Sequence, residues 1–215
     1  MKVRTFCLSG AALLFALGAA AQPVSREKAG HIDPAPGSKS EAVATAKDKL
    51  GHAVGVISAE MTTTTKGFVS AAAATDIYEV EAAKLALNRT KSNKVRQLAE
   101  AMITAHTRTT KELKTIVAEE KLDVILPDKL DVRHQTMIDD LRGVKLVDFD
   151  ERYVGQQIDT HNEALILMRG YHSSGDNVAL KKFAGNVENA VKKHLGMAER
   201  LNKSIEAMEE KSEKH

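Results

Sequence analysis

The chain of 215 residues has no tryptophan, one cysteine, four prolines and only 4% aromatic residues, and its charges nearly cancel, 31 basic against 29 acidic. Each scarcity excludes something. A lone cysteine, Cys7, cannot close an intramolecular disulfide or supply a multi-cysteine metal site. A balanced charge argues against nucleic acid as a partner. Three of the four prolines precede residue 40, which leaves the remainder free to run in long helices. With so few aromatics the core must be assembled from Ala, Leu, Val, Ile and Met, a palette suited to closely packed helices. Gly-x-Ser-x-Gly, a glycine-rich phosphate loop and His-Glu-x-x-His are also missing, so no catalytic residue is assigned and the reading leans away from an enzyme.

What is present begins with MKVRTFCLSGAALLFALGAAAQP. Lys2 and Arg4 precede an apolar run that ends in Ala19, Ala20 and Ala21, the pattern of a secretory signal over residues 1–21 cleaved after Ala21. The apolar run is short of the ~20 residues a spanning helix needs, so the mature chain is expected to carry no transmembrane helix. Cleavage removes Cys7, and with Lys2 and Arg4 it lowers the basic count to 29, equal to the acidic count. The expected location is the periplasm or envelope of a bacterium. Outward lysines such as Lys181, Lys182, Lys192 and Lys193 allow at most peripheral contact with envelope surfaces.

Residues 22–39, with little apolar content, read as a disordered linker. Residues 40–62 read as an N-terminal amphipathic helix opened by Ser38 and Glu41 in capping-box spacing and closed by the threonine run 62–65. Four long helical patterns follow, over about residues 66–89, 93–120, 149–173 and 177–205, with Ser92 as a cap and Asp148 with Glu151 as a second capping box. Pro127 and Gly143 bracket a shorter connector helix. The first and last pairs are joined by short turns and the middle pair by a long connection. The predicted fold is therefore an all-α, up-down-up-down four-helix bundle over 66–207, with the extra N-terminal helix and the connector helix, and a charged tail at 208–215.

Glu79, His106, His161 and His194 each fall on the apolar stripe of a different long helix, so the bundle points all four inward. Counting residues from the turns sets them at comparable heights. Burying such groups without partners costs several kcal/mol, roughly 2–7 even for a neutral polar group. They must be satisfied by one another, by water or by a metal. Asp76, three residues before Glu79, offers a further carboxylate on the same side. The dinuclear iron pattern Glu-x-x-His is absent, since Ile103 and Val191 stand where it would need Glu. Two readings stay open: a hydrogen-bonded cluster that fixes helix register, or a mononuclear site for Zn, Mn, Fe or Cu with Glu79, His106, His161 and His194 as ligands and Asp76 as a candidate additional ligand. Histidines 31, 52, 134, 172 and 215 read as surface or capping positions.

Four segments carry a resemblance: FVSAAAATDIYEVEAAKLA from Phe68, VRQLAEAMITAH ending at His106, FDERYV with HNEAL between Phe149 and Leu165, and LKKFAGNVENAVKKHLGMAERL from Leu180. In these the chain resembles the bacterial family known as domain of unknown function 4142, over about residues 68–202. The resemblance implies a ferritin-like helical bundle and an exported or outer-membrane-associated protein, and it matches Glu79, His106, His161 and His194. The chain departs from it at Ala105, where the family usually has Asp, and near Asn186 and Val187, where it often has Leu-Pro. The resemblance implies no reaction. The sequence thus reads first as an exported, non-enzymatic bundle of the envelope with a role in maintenance or stress, and second as a metal-binding or redox protein; its partners are unknown.

Overall fold

The computed structural model describes residues 63–213; the leader, the linker and the helix expected over 40–62 lie outside them. The described chain forms five helices and no strand: α1 Thr65–Arg89, α2 Asn93–Glu119, α3 Val132–Gly143, α4 Phe149–Ser174 and α5 Val178–Glu213. This is the all-α bundle that the periodicity predicts. Among the described residues no helix is long and apolar enough to cross a membrane.

Local chemistry sets most boundaries. The Thr64 hydroxyl accepts the Gly67 amide at 3.2 Å and opens α1, and Ser92 accepts the Val95 amide at 3.4 Å to open α2. Lys121, at φ 50°, takes the left-handed turn that ends α2, and the Leu122 amide closes back on the Val117 carbonyl at 3.0 Å. Asp148 differs from expectation. Its backbone is already helical and its side chain makes no capping bond, because the carboxylate reaches the first-turn amides from an extended residue. The last helix continues to Glu213, past residue 205, through a run of strong helix formers, with Asn202 donating to Glu206 at 2.7 Å.

The short turns fold α1 on α2 and α4 on α5. At the end of α1, Arg89 donates to the carbonyls of Leu141, Arg142 and Val144 and lies 4.8 Å over the ring of Phe149, the first residue of α4. At the start of α1, Thr65 meets the Tyr171 hydroxyl, near the end of α4, at 3.1 Å. Helices α1 and α4 are therefore antiparallel, and α2 and α4 run the same way. The order is up-down-down-up, which corrects the up-down-up-down alternation expected from sequence. The cause is the long connection: its 12-residue helix α3 spans about 18 Å and carries the chain back along the bundle before α4 begins. Every packed neighbour among the four long helices is still antiparallel, α1 against α2 and α4, and α5 against α4 and α2, so the helix dipoles oppose.

Two hydrophobic clusters fill the bundle. One, toward the start of α1, includes Phe68, Val69, Leu113, Tyr171 and Phe183. The other, toward its end, includes Tyr78, Ala86, Met102, Phe149 and Leu201. Between them, at mid-height, lies a layer of buried polar side chains.

The connector has its own titrating contact. His134, expected at the surface, is buried against the Tyr78 ring at 5.1 Å, and its Nδ1 donates to Asp131, the cap of α3, at 2.6 Å. That hydrogen bond above all holds the Asp131 carboxyl at about 2, against an ordinary 3.8, despite partial burial. A depressed folded pKa stabilises above the unfolded value and is lost below it. Stability should fall between about pH 4 and pH 2 by about 1 kcal/mol, the figure being reduced because the carboxylate is half-exposed. Denaturant titrations of the protein and of Asp131→Asn should differ at about pH 5 and converge near pH 2.

Candidate metal centre

The polar layer takes one residue from each long helix. His106, His161 and His194 come together: their ligand atoms all lie within 4.8 Å of one another. Their ring centroids form a nearly equilateral triangle of 5.7, 5.7 and 6.2 Å. His106 and His161 are buried and His194 is half-buried.

Each buried ring is held through Nδ1. His161 Nδ1 donates to the Gln157 carbonyl one turn back at 2.8 Å, and His106 Nδ1 donates to Asp76 at 2.7 Å. In the neutral ring with its proton on Nδ1, Nε2 offers a lone pair. Both Nε2 atoms are buried without a hydrogen-bond partner among the described residues. A carboxylate or carbonyl on one ring nitrogen and a free lone pair on the other is how metal-ligating histidines are oriented.

Asp76 stands behind His106, away from the triangle. Its two oxygens also accept from Thr109, at 2.9 Å each, and from Thr110 at 2.8 Å, so its part is to orient the imidazole. Glu79, fully buried, stands beside the triangle. Its Oε1 accepts from Thr160 at 2.5 Å and lies 3.6 Å from His161 Nδ1, while Oε2 has no hydrogen-bond partner among the described residues. The mutually close set is thus the three histidines, with Glu79 at its edge and Asp76 behind it. His172, the other histidine near the stripe, packs at the α4–α5 contact, where a Cβ on Gly185 would fall 2.9 Å from its ring.

The electrostatics favour neutral ligands at two corners. Burial, helped by the neighbouring His161 and His106, lowers His194 to about 4. Burial likewise lowers His161, against the pull of Glu79. Burial acts on His106 too, but its bond to Asp76 and the charges of Glu79 and Asp76 outweigh it and raise that ring.

Sequence spacing does not mark Thr160 or Gln157, which neighbour His161 on α4. The signal was their spacing from His161: Thr160 is the residue before it and Gln157 is one turn before, on the same side.

A family model described as Domain of unknown function (DUF4142) matches residues 54–201, which contain the whole polar layer. The chain belongs to this family. No curated protein and no solved structure matches the chain. Membership carries no reaction with it, so function has to be argued from the polar layer itself.

Proposed function

We propose that this protein binds one divalent transition metal through His106, His161 and His194, with Asp76 orienting His106 and Glu79 balancing charge beside it. The observation that carries this reading is the pair of buried Nε2 atoms, on His106 and His161, that lack any hydrogen-bond partner among the described residues, in a trio of histidines whose ligand atoms lie within 4.8 Å of one another. A purely hydrogen-bonded cluster would leave them orphaned at a cost of about 1–3 kcal/mol each. A metal satisfies both at once. Two buried carboxylates, Asp76 and Glu79, match the charge of a divalent ion. Three imidazoles suit Zn, Fe or Cu better than Mn. Zn–N bonds of about 2.0–2.1 Å place tetrahedral ligands about 3.3 Å apart, so the rings close by about an ångström or more around the ion.

The leader-like residues 1–21 support the periplasm or envelope as the place of action. The first test is elemental analysis of the chain recovered from the periplasmic fraction. The expected result is an N-terminus at Gln22 and about one metal per chain, lost in His106→Ala. A chain without metal that takes none up on titration with Zn, Fe or Cu leaves the hydrogen-bonded cluster as the better reading.

A further inference from the structure

Beside the triangle, four more buried polar atoms have no hydrogen-bond partner among the described residues: Glu79 Oε2, Gln157 Nε2, Gln157 Oε1 and the Tyr153 hydroxyl. Their residues are all fully buried. Tyr153, Gln157 and His161 succeed one another every fourth residue along α4, so they share one face and rise over consecutive turns. Helical side chains lean toward the N-terminus, which brings His161 toward Gln157. Glu79 closes the group from α1. It is 3.6 Å from His161.

A native interior seldom leaves a whole glutamine amide unbonded. The atoms of Glu79 and Gln157 also form a mixed set. The amide NH2 donates, and the carboxylate and the amide oxygen accept. Such a set recognises something that both gives and takes protons. A bare anion would meet the Glu79 carboxylate, and an apolar guest would leave these atoms unbonded.

Resting on the metal reading, we propose that the ion held by the three histidines keeps one position for an exchangeable small protic oxygen ligand, of the class of water, hydroxide or hydrogen peroxide. Glu79 and Gln157 bind that ligand. Three protein ligands with a fourth position left open is the pattern of reactive rather than purely structural sites. Here the fourth ligand is held by hydrogen bonds on its outer side. Glu79 accepts from it and excludes proton-free anions, because like charges brought together in a buried site cost several kcal/mol.

The test uses the full mature chain loaded with copper(II) or cobalt(II), with metal content measured first in every sample. Oxygen-17-enriched water should broaden the copper EPR lines of the unmodified protein. Azide, followed by the visible spectrum of the cobalt form, should bind weakly to the unmodified protein and at least about tenfold more tightly to Glu79→Gln, which keeps the shape and removes the charge. Gln157→Leu should keep its metal and lose the broadening. A chain that takes up neither metal overturns the metal reading and this inference with it. A fully loaded chain without broadening, or with the same azide affinity in Glu79→Gln, overturns this inference alone.

Discussion

His161→Leu is expected to lower metal affinity by two to three orders of magnitude while leaving the metal-free protein at least as stable as before. The first effect follows from division of the binding energy: structural zinc sites with four protein ligands hold their ion by about 10–16 kcal/mol, so one ligand is worth about 2.5–4 kcal/mol. The second follows from what the substitution deletes. His161 Nε2 is buried without a hydrogen-bond partner among the described residues, and removing such an atom relieves about 1–3 kcal/mol of desolvation cost. Leucine fills most of the ring's volume. The Gln157 carbonyl that loses its Nδ1 partner keeps its backbone hydrogen bond within α4, and Glu79 keeps its bond from Thr160. Denaturant titration with and without metal, beside calorimetric metal titration, reads both effects. A metal-free variant that loses several kcal/mol while its metal binding is unchanged would make the layer a structural polar cluster.

Arg89→Met should destabilise the fold by about 3 kcal/mol, a drop of roughly 6–12 °C in melting temperature. The guanidinium serves three carbonyls, those of Leu141, Arg142 and Val144, which are the last carbonyls of α3 and the first residue beyond it. Helix C-terminal carbonyls have no partner within the helix and carry negative partial charge. Charged hydrogen bonds are worth about 1.5–3 kcal/mol each where desolvated and less where exposed. The same cation lies over Phe149, which adds about 0.5–1 kcal/mol. Methionine keeps the stem and forfeits the rest. Calorimetric melting of the variant checks the figure, and a change under 1 kcal/mol would mean that water replaces Arg89 at the carbonyls.

Much of the fold was legible because period and punctuation are local. The apolar repeat and Ser92 place three of the four long helices to within a residue or two of their ends, while α5 runs eight residues past its expected end at 205. The direction of α4 was not legible. It depends on where the long connection lies in space, and nothing in Pro127 or Gly143 records that α3 lies back along α1. The capping expectation at Asp148 failed for a related reason, since its spacing to Glu151 was right but its backbone was already helical. The four inward residues of the layer could be read from spacing alone, since each sits on the stripe of its helix. Their division into three converging rings, a carboxylate beside them and Asp76 behind could not. That depends on side-chain lengths and rotamers across four helices. Gln157 and Thr160 escaped because an uncharged residue beside an apolar stripe looks like any surface position until its partners are seen.

The reversed order of the last two helices also decides how the domain can be tethered. In an alternating bundle the chain enters and leaves at the same pole. Here α1 starts at one pole and α5, after the crossover, finishes beyond the other, with the 25 residues of α1 alone about 37 Å long. Tension applied to the two ends would therefore run along the helix axes and load the packed faces in shear, with no hairpin available to unzip from one side. Of the side chains in the triangle, His106 belongs to one hairpin and His161 and His194 to the other, so an ion between them would act as a rivet across the very surface that such a load tries to slide.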